Sequence, residues 1–194
     1  REDNQGKIDE QLFYCDDKNH KNRLLDHILR DANIDQCIIF TSTKAMSEQL
    51  ADELYEKGFA ANCLHGDMPQ NWRNRTLMDL RKGRIKVLVA TDVAARGIDV
   101  PSITHVINYD LPKQAEDYVH RIGRTGRAGR HGLALTFAEV NEYVAVHKIE
   151  KYLGRKLPEF TIEGMEPTRK RSKAPRKSKG GGWKQKGGRK PSGS

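Results

Sequence analysis

Val87-Leu88-Val89-Ala90-Thr91-Asp92-Val93-Ala94-Ala95-Arg96-Gly97-Ile98-Asp99 decides the reading of the fold. It opens with four apolar residues in a row and then turns polar at Thr91. An uninterrupted apolar run without alternation is what a strand buried on both faces of a parallel sheet requires. Upstream, Cys37-Ile38-Ile39-Phe40 repeats the pattern and ends in Thr41-Ser42-Thr43; downstream, His105-Val106-Ile107-Asn108-Tyr109 repeats it and ends at Asp110. A short strand is expected at residues 11–15, a weaker one at 60–64 and the last at 133–137. Helices are expected between them. Leu24, Leu25, Ile28 and Leu29 share one stripe, and Met46, Leu50 and Leu54 recur at four-residue spacing up to Gly58. Ser42 or Thr43 can cap that second helix. Asp67 offers an N-cap for a third, with Pro69 just inside and Gly83 at its close. Residues 143–153 make a closing helix. The alternation predicts an α/β domain, a mostly parallel sheet flanked by helices on both faces, with ligands outside the carboxyl ends of the strands.

Charge divides the chain. The net charge is +9, yet residues 167–194 hold eleven Lys and Arg and no acid, which leaves residues 1–166 at −2. That basic segment has six glycines, three prolines and one large apolar residue, Trp183. It cannot bury enough surface to offset its ordering entropy, so a disordered tail with affinity for a polyanion is expected. The expected division is a linker over residues 1–8, a globular domain over 9–160 and the tail over 161–194. The chain starts at Arg1, so a preceding domain is expected. No run of about eighteen apolar residues predicts a membrane span. Cys15, Cys37 and Cys63 lack any CxxC spacing, which points to small buried residues in a reducing compartment.

The densest chemistry is His120-Arg121-Ile122-Gly123-Arg124-Thr125-Gly126-Arg127. Arg121, Arg124, Arg127 and Arg130 recur every third residue, and no carboxylate lies between Asp117 and Glu139. Unpaired guanidinium at this density points to an external phosphate, whose oxygens match the planar fork. Gly123 and Gly126 are expected to let a ligand approach the backbone. The plainer reading is a solvated basic helix end.

Other loops add candidates. The Thr91 hydroxyl at a strand end suits a phosphate oxygen. Gly97 clears space beside Arg96, and Asp99 is an acceptor for ribose hydroxyls or a simple loop cap. Pro69-Gln70-Asn71-Trp72-Arg73 opens a helix, where free N–H groups and the dipole favour anions, with Arg73 one turn in. Ser42 and Thr43 serve equally as plain caps. His120 reads most simply as an ordered interior histidine. No side-chain cluster has metal spacing, and the phosphate-cradling GxxxxGK[ST] loop is absent.

Together these residues resemble DEAD-box RNA helicases. ATDVAARGID (residues 90–99) and HRIGRTGR (residues 120–127) resemble that family's fifth and sixth motifs. Ile38-Ile39-Phe40 resembles the fourth, and Gln70 with Arg73 in HGDMPQNWR resembles the one after it. The order holds from about Gln11 to Leu157, and the GRKLPEF ending with its basic tail looks most like bacterial RhlE-type members. The resemblance covers the second of the family's two RecA-like domains. It implies that Asp99 and Gly97 meet ATP, with Asp99 on the ribose. By the same resemblance Arg124 and Arg127 would act as arginine fingers on the γ-phosphate. Arg96, His120 and Arg121 would link to the N-terminal RecA-like domain. Thr91, Arg73, Gln70, Ser42 and Thr43 would grip the RNA backbone. It further implies Mg2+ held by the other domain, RNA as partner in single-strand or short-duplex form, ribosomal or RNA-processing complexes as candidate partners, and a cytoplasmic setting. ATP and RNA would close the two domains, part a short duplex, and hydrolysis would reopen them. Two other readings stand beside it: a stand-alone RNA-binding module without catalysis, and half of a related superfamily 2 DNA helicase.

Overall fold

The computed structural model describes residues 5–31 and 33–169. Six strands form one sheet: β1 (Ile8–Cys15), β2 (Gln36–Phe40), β3 (Ala61–Leu64), β4 (Val87–Ala90), β5 (Ile103–Asn108) and β6 (Gly132–Glu139). Their order is β1-β6-β5-β2-β4-β3, and every pairing is parallel. Six helices connect and close it: α1 (Lys18–Leu29), α2 (Lys44–Glu56), α3 (Gln70–Arg81), α4 (Asp92–Ala95), α5 (Ala115–Ile122) and α6 (Tyr143–Leu153).

Successive residues of a strand face opposite sides, so each apolar run feeds two cores. Ile39, Val89, Ile107 and Phe137 point to the side covered by α1 and α2, where Leu24, Leu25, Leu50 and Leu54 meet them. Ile38, Leu88 and Val106 point the other way, against Leu80 of α3 and Ala94 of α4. Beside them Leu12, Tyr14 and Ala134 receive Tyr118 and Ile122 of α5 and Val146 and Ile149 of α6. Cys15 and Cys37 are buried in the first core, and burial pushes both thiols up to about 12.

Because all strands run one way, the residues after β1, β2, β3, β4, β5 and β6 share one rim. The chain adds β3 and β4 on one side of β2, then crosses to β5 on the other. A sheet of this type opens a crevice at that reversal.

Several expectations change. Asp67 does not cap α3: Pro69 takes that position with no side-chain bond, and Asp67 pairs with Lys44 instead. Thr43, not Ser42, caps α2, accepting from the Met46 N–H at 3.1 Å. Helices α4 and α5 add to the expected elements. Gln5 and Gly6 are not free linker: the Gly6 N–H donates to the Gly126 carbonyl at 2.6 Å, and Gln5 Nε2 donates to the Thr125 carbonyl at 3.0 Å.

The tail also begins later than residue 161. The chain returns along β1, with Leu12 paired to Pro158 and Phe160, and Ile162 and Met165 pack on the first core. Buried His20 ties this return down. Its Nδ1 accepts from the Asp16 N–H at 2.9 Å, so its Nε2 carries the proton and donates to the Met165 carbonyl at 2.7 Å. The Asp16 carboxylate accepts from the backbone N–H groups of Thr168 and Arg169 and from the Thr168 hydroxyl. Eleven basic residues averaged over one window hid this apolar anchor. The expected disorder from residue 170 onward, with Trp183, falls outside the described residues.

The arginine run is the largest correction. Arg121 is only 2% exposed. Its Nε and Nη2 make a two-pronged pair with Asp92 at 2.6 and 2.8 Å. Its Nη1 donates to the Asp110 carbonyl at 2.6 Å and to Asn108 Oδ1 at 3.3 Å. Its guanidinium also lies 5.1 Å from the Phe40 ring centre. The carboxylate missing between Asp117 and Glu139 comes from Asp92, the first residue of α4. Arg121 therefore fastens α5 to α4 and the sheet.

Two measurements follow from these contacts. Arg121 is buried while Asp92 keeps 29% of its side chain exposed, so in denaturant titrations of this chain Asp92→Asn, which strands the buried guanidinium, should lower unfolding free energy by about 3 kcal/mol, and Arg121→Met, which leaves a carboxylate within reach of water, by less. Arg121→Lys, which keeps charge but not the fork, should recover only part of that. For Asp16, the Arg169 N–H, with help from Thr168, lowers its carboxyl from 3.8 to about 2. A folded-state value below the unfolded one stabilises above the unfolded value and is lost as pH falls. The melting difference between wild type and Asp16→Asn should thus be constant from neutrality to about pH 4 and shrink between about pH 4 and 2.

Candidate nucleotide and nucleic-acid interface

At the reversal of the sheet lies a crevice of about 260 Å3, lined among others by Asp92, Arg96, Gly97, Asp117, His120 and Arg124. A hollow of about 910 Å3 lies between α1 and residues 160–165, with Phe13, Leu135, Phe160 and Met165 in its apolar lining. Charged side chains line both, but the smaller one gathers Arg96, Gly97, His120, Arg121 and Arg124 at the carboxyl ends of the strands and is the candidate site.

Helix α5 delivers one wall. Its last turn carries His120 and Arg121, where cations favour the dipole. His120 is not interior. Its side chain is 69% exposed, with Nδ1 3.7 Å from Asp117. Beyond the helix, the Thr125 hydroxyl donates to the Ile103 carbonyl at 2.6 Å and anchors the loop to β5. Gly126 follows in the left-handed region at φ 68°, and a Cβ there would sit 2.7 Å from Gln5 Nε2. A Cβ at Gly123 would meet the Val119 carbonyl at 3.3 Å. Both glycines therefore serve packing of the chain on itself, not the approach of a ligand. Gly97 differs: it is left-handed at φ 79° with open space where a Cβ would be.

Arg124 and Arg127 are placed by this rigid loop. Arg124 Nη1 donates to the Ile98 carbonyl at 2.7 Å, while its Nε is shielded from solvent without a partner. Burial and then the neighbouring Arg127 push the Arg124 pKa down, against a smaller opposing pull from Asp99. Arg127 Nε lies 3.1 Å from Asp99 Oδ1. That carboxylate is 64% exposed, so the pair is open to exchange for another anion.

The remaining candidates lie along the rim toward β3. Thr91 precedes α4 and makes no side-chain cap bond. The Ser42 N–H donates to Asp110 Oδ2 at 2.8 Å, and Asp110 also meets Lys21 at 3.5 Å. Gln70 and Arg73 stand on the first turn of α3, with Gln70 Nε2 donating to Asn74 at 3.0 Å. Arg73 Nε is also shielded and unpartnered. Arg96, Gly97, His120, Arg121 and Arg124 thus meet at one crevice, with Asp99 and Arg127 at its edge. Ser42, Thr43, Thr91, Gln70 and Arg73 form a second stretch of the same rim.

Sequence reasoning missed Asp92, Asn108 and Gln5. Asp92 carried a signal, an acid in the first residues after a buried strand and opposite an arginine-rich motif. Asn108 ends a buried strand, where its amide donates to Thr136 and its oxygen accepts from Arg121. Gln5 carried none, because its partners are the backbone of a loop about 120 residues away. Among the described residues no group of three His, Cys, Asp or Glu side chains could hold a metal ion, and no helix is long and apolar enough to cross a membrane.

The geometry agrees with what this chain is similar to. Residues 20–129 match the helicase conserved C-terminal domain. The chain is 39% identical over 161 residues to the ATP-dependent RNA helicase SrmB of Escherichia coli K12, covering 83% of this chain and 36% of that protein. It is 45% identical over 152 residues to the ATP-dependent RNA helicase RhlB of Pectobacterium carotovorum, covering 78% of this chain and 35% of that one. The chain spans little more than a third of these relatives. The crystal structure of E. coli DEAD-box protein SrmB bound to the regulator RraA superposes with a TM-score of 0.79 at 38% identity, covering 89% of this chain and all of that chain. S. cerevisiae Dbp5 bound to RNA and ADP BeF3 superposes at 0.74 with 36% identity, covering 79% and 41%. The RecA-like sheet, the order of the motifs and these likenesses agree: the chain belongs to the helicase conserved C-terminal domain family, among the DEAD-box proteins.

Proposed function

We propose that this chain works as the C-terminal half of an ATP-dependent RNA helicase. It completes an ATP site across a cleft with an N-terminal RecA-like domain and holds RNA backbone on the adjoining rim. One observation carries the reading: Arg124 is held half-buried beside a second guanidinium with its Nε unsatisfied. Folding alone gives no reason to crowd two permanent cations in a partly dry crevice. A phosphoryl group building negative charge relieves both, and it is there that preorganised donors accelerate the reaction.

Arg124 and Arg127 then act on the γ-phosphate, Asp99 releases Arg127 to take the ribose hydroxyls, and open Gly97 admits the nucleotide. Exposed Arg96 and His120 face the other domain. Arg121 acts through them, by fixing α5. Thr91, Ser42, Thr43, Gln70 and Arg73 offer hydroxyls, amides and one guanidinium to successive phosphates, contacts that position a strand without reading its sequence. The ligands of Mg2+ are assigned to the N-terminal domain. Dbp5, similar to this chain, has been seen with RNA and ADP BeF3 together, which supports both halves of the reading. RNA-processing or ribosomal complexes in the cytoplasm are the proposed setting.

The test is single-turnover ATP hydrolysis by the two-domain protein. Arg124→Lys keeps the charge and loses the fork, so hydrolysis should fall about a thousandfold, almost as far as for Arg124→Ala, with little change in melting. Turnover at the wild-type rate would make Arg124 a generic cation and overturn the finger assignment. A second measurement concerns the basic C-terminus, of whose eleven Lys and Arg ten lie in residues 170–194. Removing residues 170–194 should weaken single-strand RNA binding and flatten its log–log salt dependence by roughly 0.7 for each phosphate no longer neutralised. An unchanged slope would place all binding on the folded rim.

A further inference from the structure

Trp72 has no role in the function proposed above. It lies in the first turn of α3, between Gln70 and Arg73, and is 61% exposed. A single exposed apolar side chain is ordinary on a protein surface. What sets Trp72 apart is its surroundings. Among the described residues, no aromatic or cation–π partner covers the indole. The helix start beneath it has no side-chain cap and no acid in its first turn, so no carboxylate offsets the positive end of the helix dipole. Arg75 is exposed one turn further along the same flank, and α3 carries three arginines against one acid, Asp79, which already pairs with Arg84. Arg73 supplies a guanidinium whose Nε lacks a partner.

A protein surface suited to a neutral partner would not surround its one large aromatic with uncompensated positive charge. A single-stranded nucleic acid supplies both missing complements, phosphates for the arginines and a flat π face for the indole. We propose that Trp72 is a stacking platform for a base of the RNA strand whose phosphates lie on Gln70 and Arg73. It gives this chain a contact to the bases beside its contacts to the backbone. Base–aromatic stacking tolerates any base, so the platform adds affinity and fixes the strand's path without conferring a sequence. This inference rests on the RNA-binding reading of the rim.

The test uses the full chain with Trp183→Phe, so that Trp72 is the sole tryptophan, titrated with a short oligoadenylate and with an abasic ribose–phosphate strand of the same length. Oligoadenylate should quench the indole emission and the abasic strand should not. With labelled RNA, at salt high enough to suppress tail binding, Trp72→Ala should weaken binding about tenfold and Trp72→Phe about twofold. The salt slope should not change, because stacking neutralises no phosphate. Melting should stay near wild type in both variants, since the side chain is outside the core. Equal quenching by the abasic strand, or wild-type affinity in Trp72→Ala while Arg73→Ala binds weakly, would overturn the platform and leave the RNA rim standing. Wild-type affinity in both variants would overturn the rim, and the platform with it. Loss of a protein partner with RNA affinity intact in Trp72→Ala would show the indole to be a protein contact and also overturn the proposal.

Discussion

The arrangement of the site depends on one ion pair, Arg121 with Asp92. Taking the guanidinium out of water costs several kcal/mol, and part-burying the carboxylate, which stays 29% exposed, adds to that; their attraction offsets it only with excellent geometry. Here the geometry is nearly complete. Both carboxylate oxygens are engaged, the third guanidinium nitrogen reaches the Asp110 carbonyl and Asn108, and the Phe40 ring covers the face. The residues joined this way leave β2, β4 and β5 and enter α4 and α5. Those are the strands between which the chain reverses. A contact that uses charge at the reversal fixes the crevice walls in one register, where apolar packing of similar area would tolerate a slide.

That constraint propagates to the arginines that follow. With Arg121 fixed at the end of α5, Thr125 reaches the Ile103 carbonyl and Gly126 turns left-handed against Gln5 and Gly6. The loop is thereby held at both ends before Arg127 begins. Its side chains inherit a fixed origin, which is what lets two like charges stand together without swinging apart into water. Asp99 supplies the intermediate partner, exposed enough to be exchanged.

How far the sequence revealed this depended on the range of the interactions. The buried strands were legible because an unbroken apolar run has few other readings, and the carboxyl rim followed from parallel strands. Short α4 was not, since four residues give no period, and α5 was masked by its own charges. An arginine run is weighed against carboxylates nearby in the chain, whereas Asp92 lies 29 residues from Arg121 and Asp99 lies 28 from Arg127, adjacent only in the fold. The glycines of that run point to a ligand for the same reason: nothing local shows that Gln5 packs on Gly126. The C-terminal boundary was misplaced because composition averages over a window, whereas Ile162 and Met165 on the core, with His20 and Asp16 bonding the backbone, hold residues 161–169 to the body.

Among the described residues, two buried side-chain nitrogens lack a hydrogen-bond partner, Nε of Arg73 and Nε of Arg124. A buried donor left unpaired costs about 1–3 kcal/mol, so native chains keep few of them. These two fall one on each stretch of the rim, on residues for which contacts to backbone phosphate and to γ-phosphate are proposed. On the proposed function the site releases its ligand in each cycle, and every internal bond made there competes with that ligand. Arg121, on the same short motif as Arg124, shows the opposite limit, with each of its guanidinium nitrogens engaged inside the protein. The same residue type is thus divided by satisfaction: the saturated arginine builds the crevice, and the two left short, Arg73 and Arg124, are among those proposed to meet phosphate.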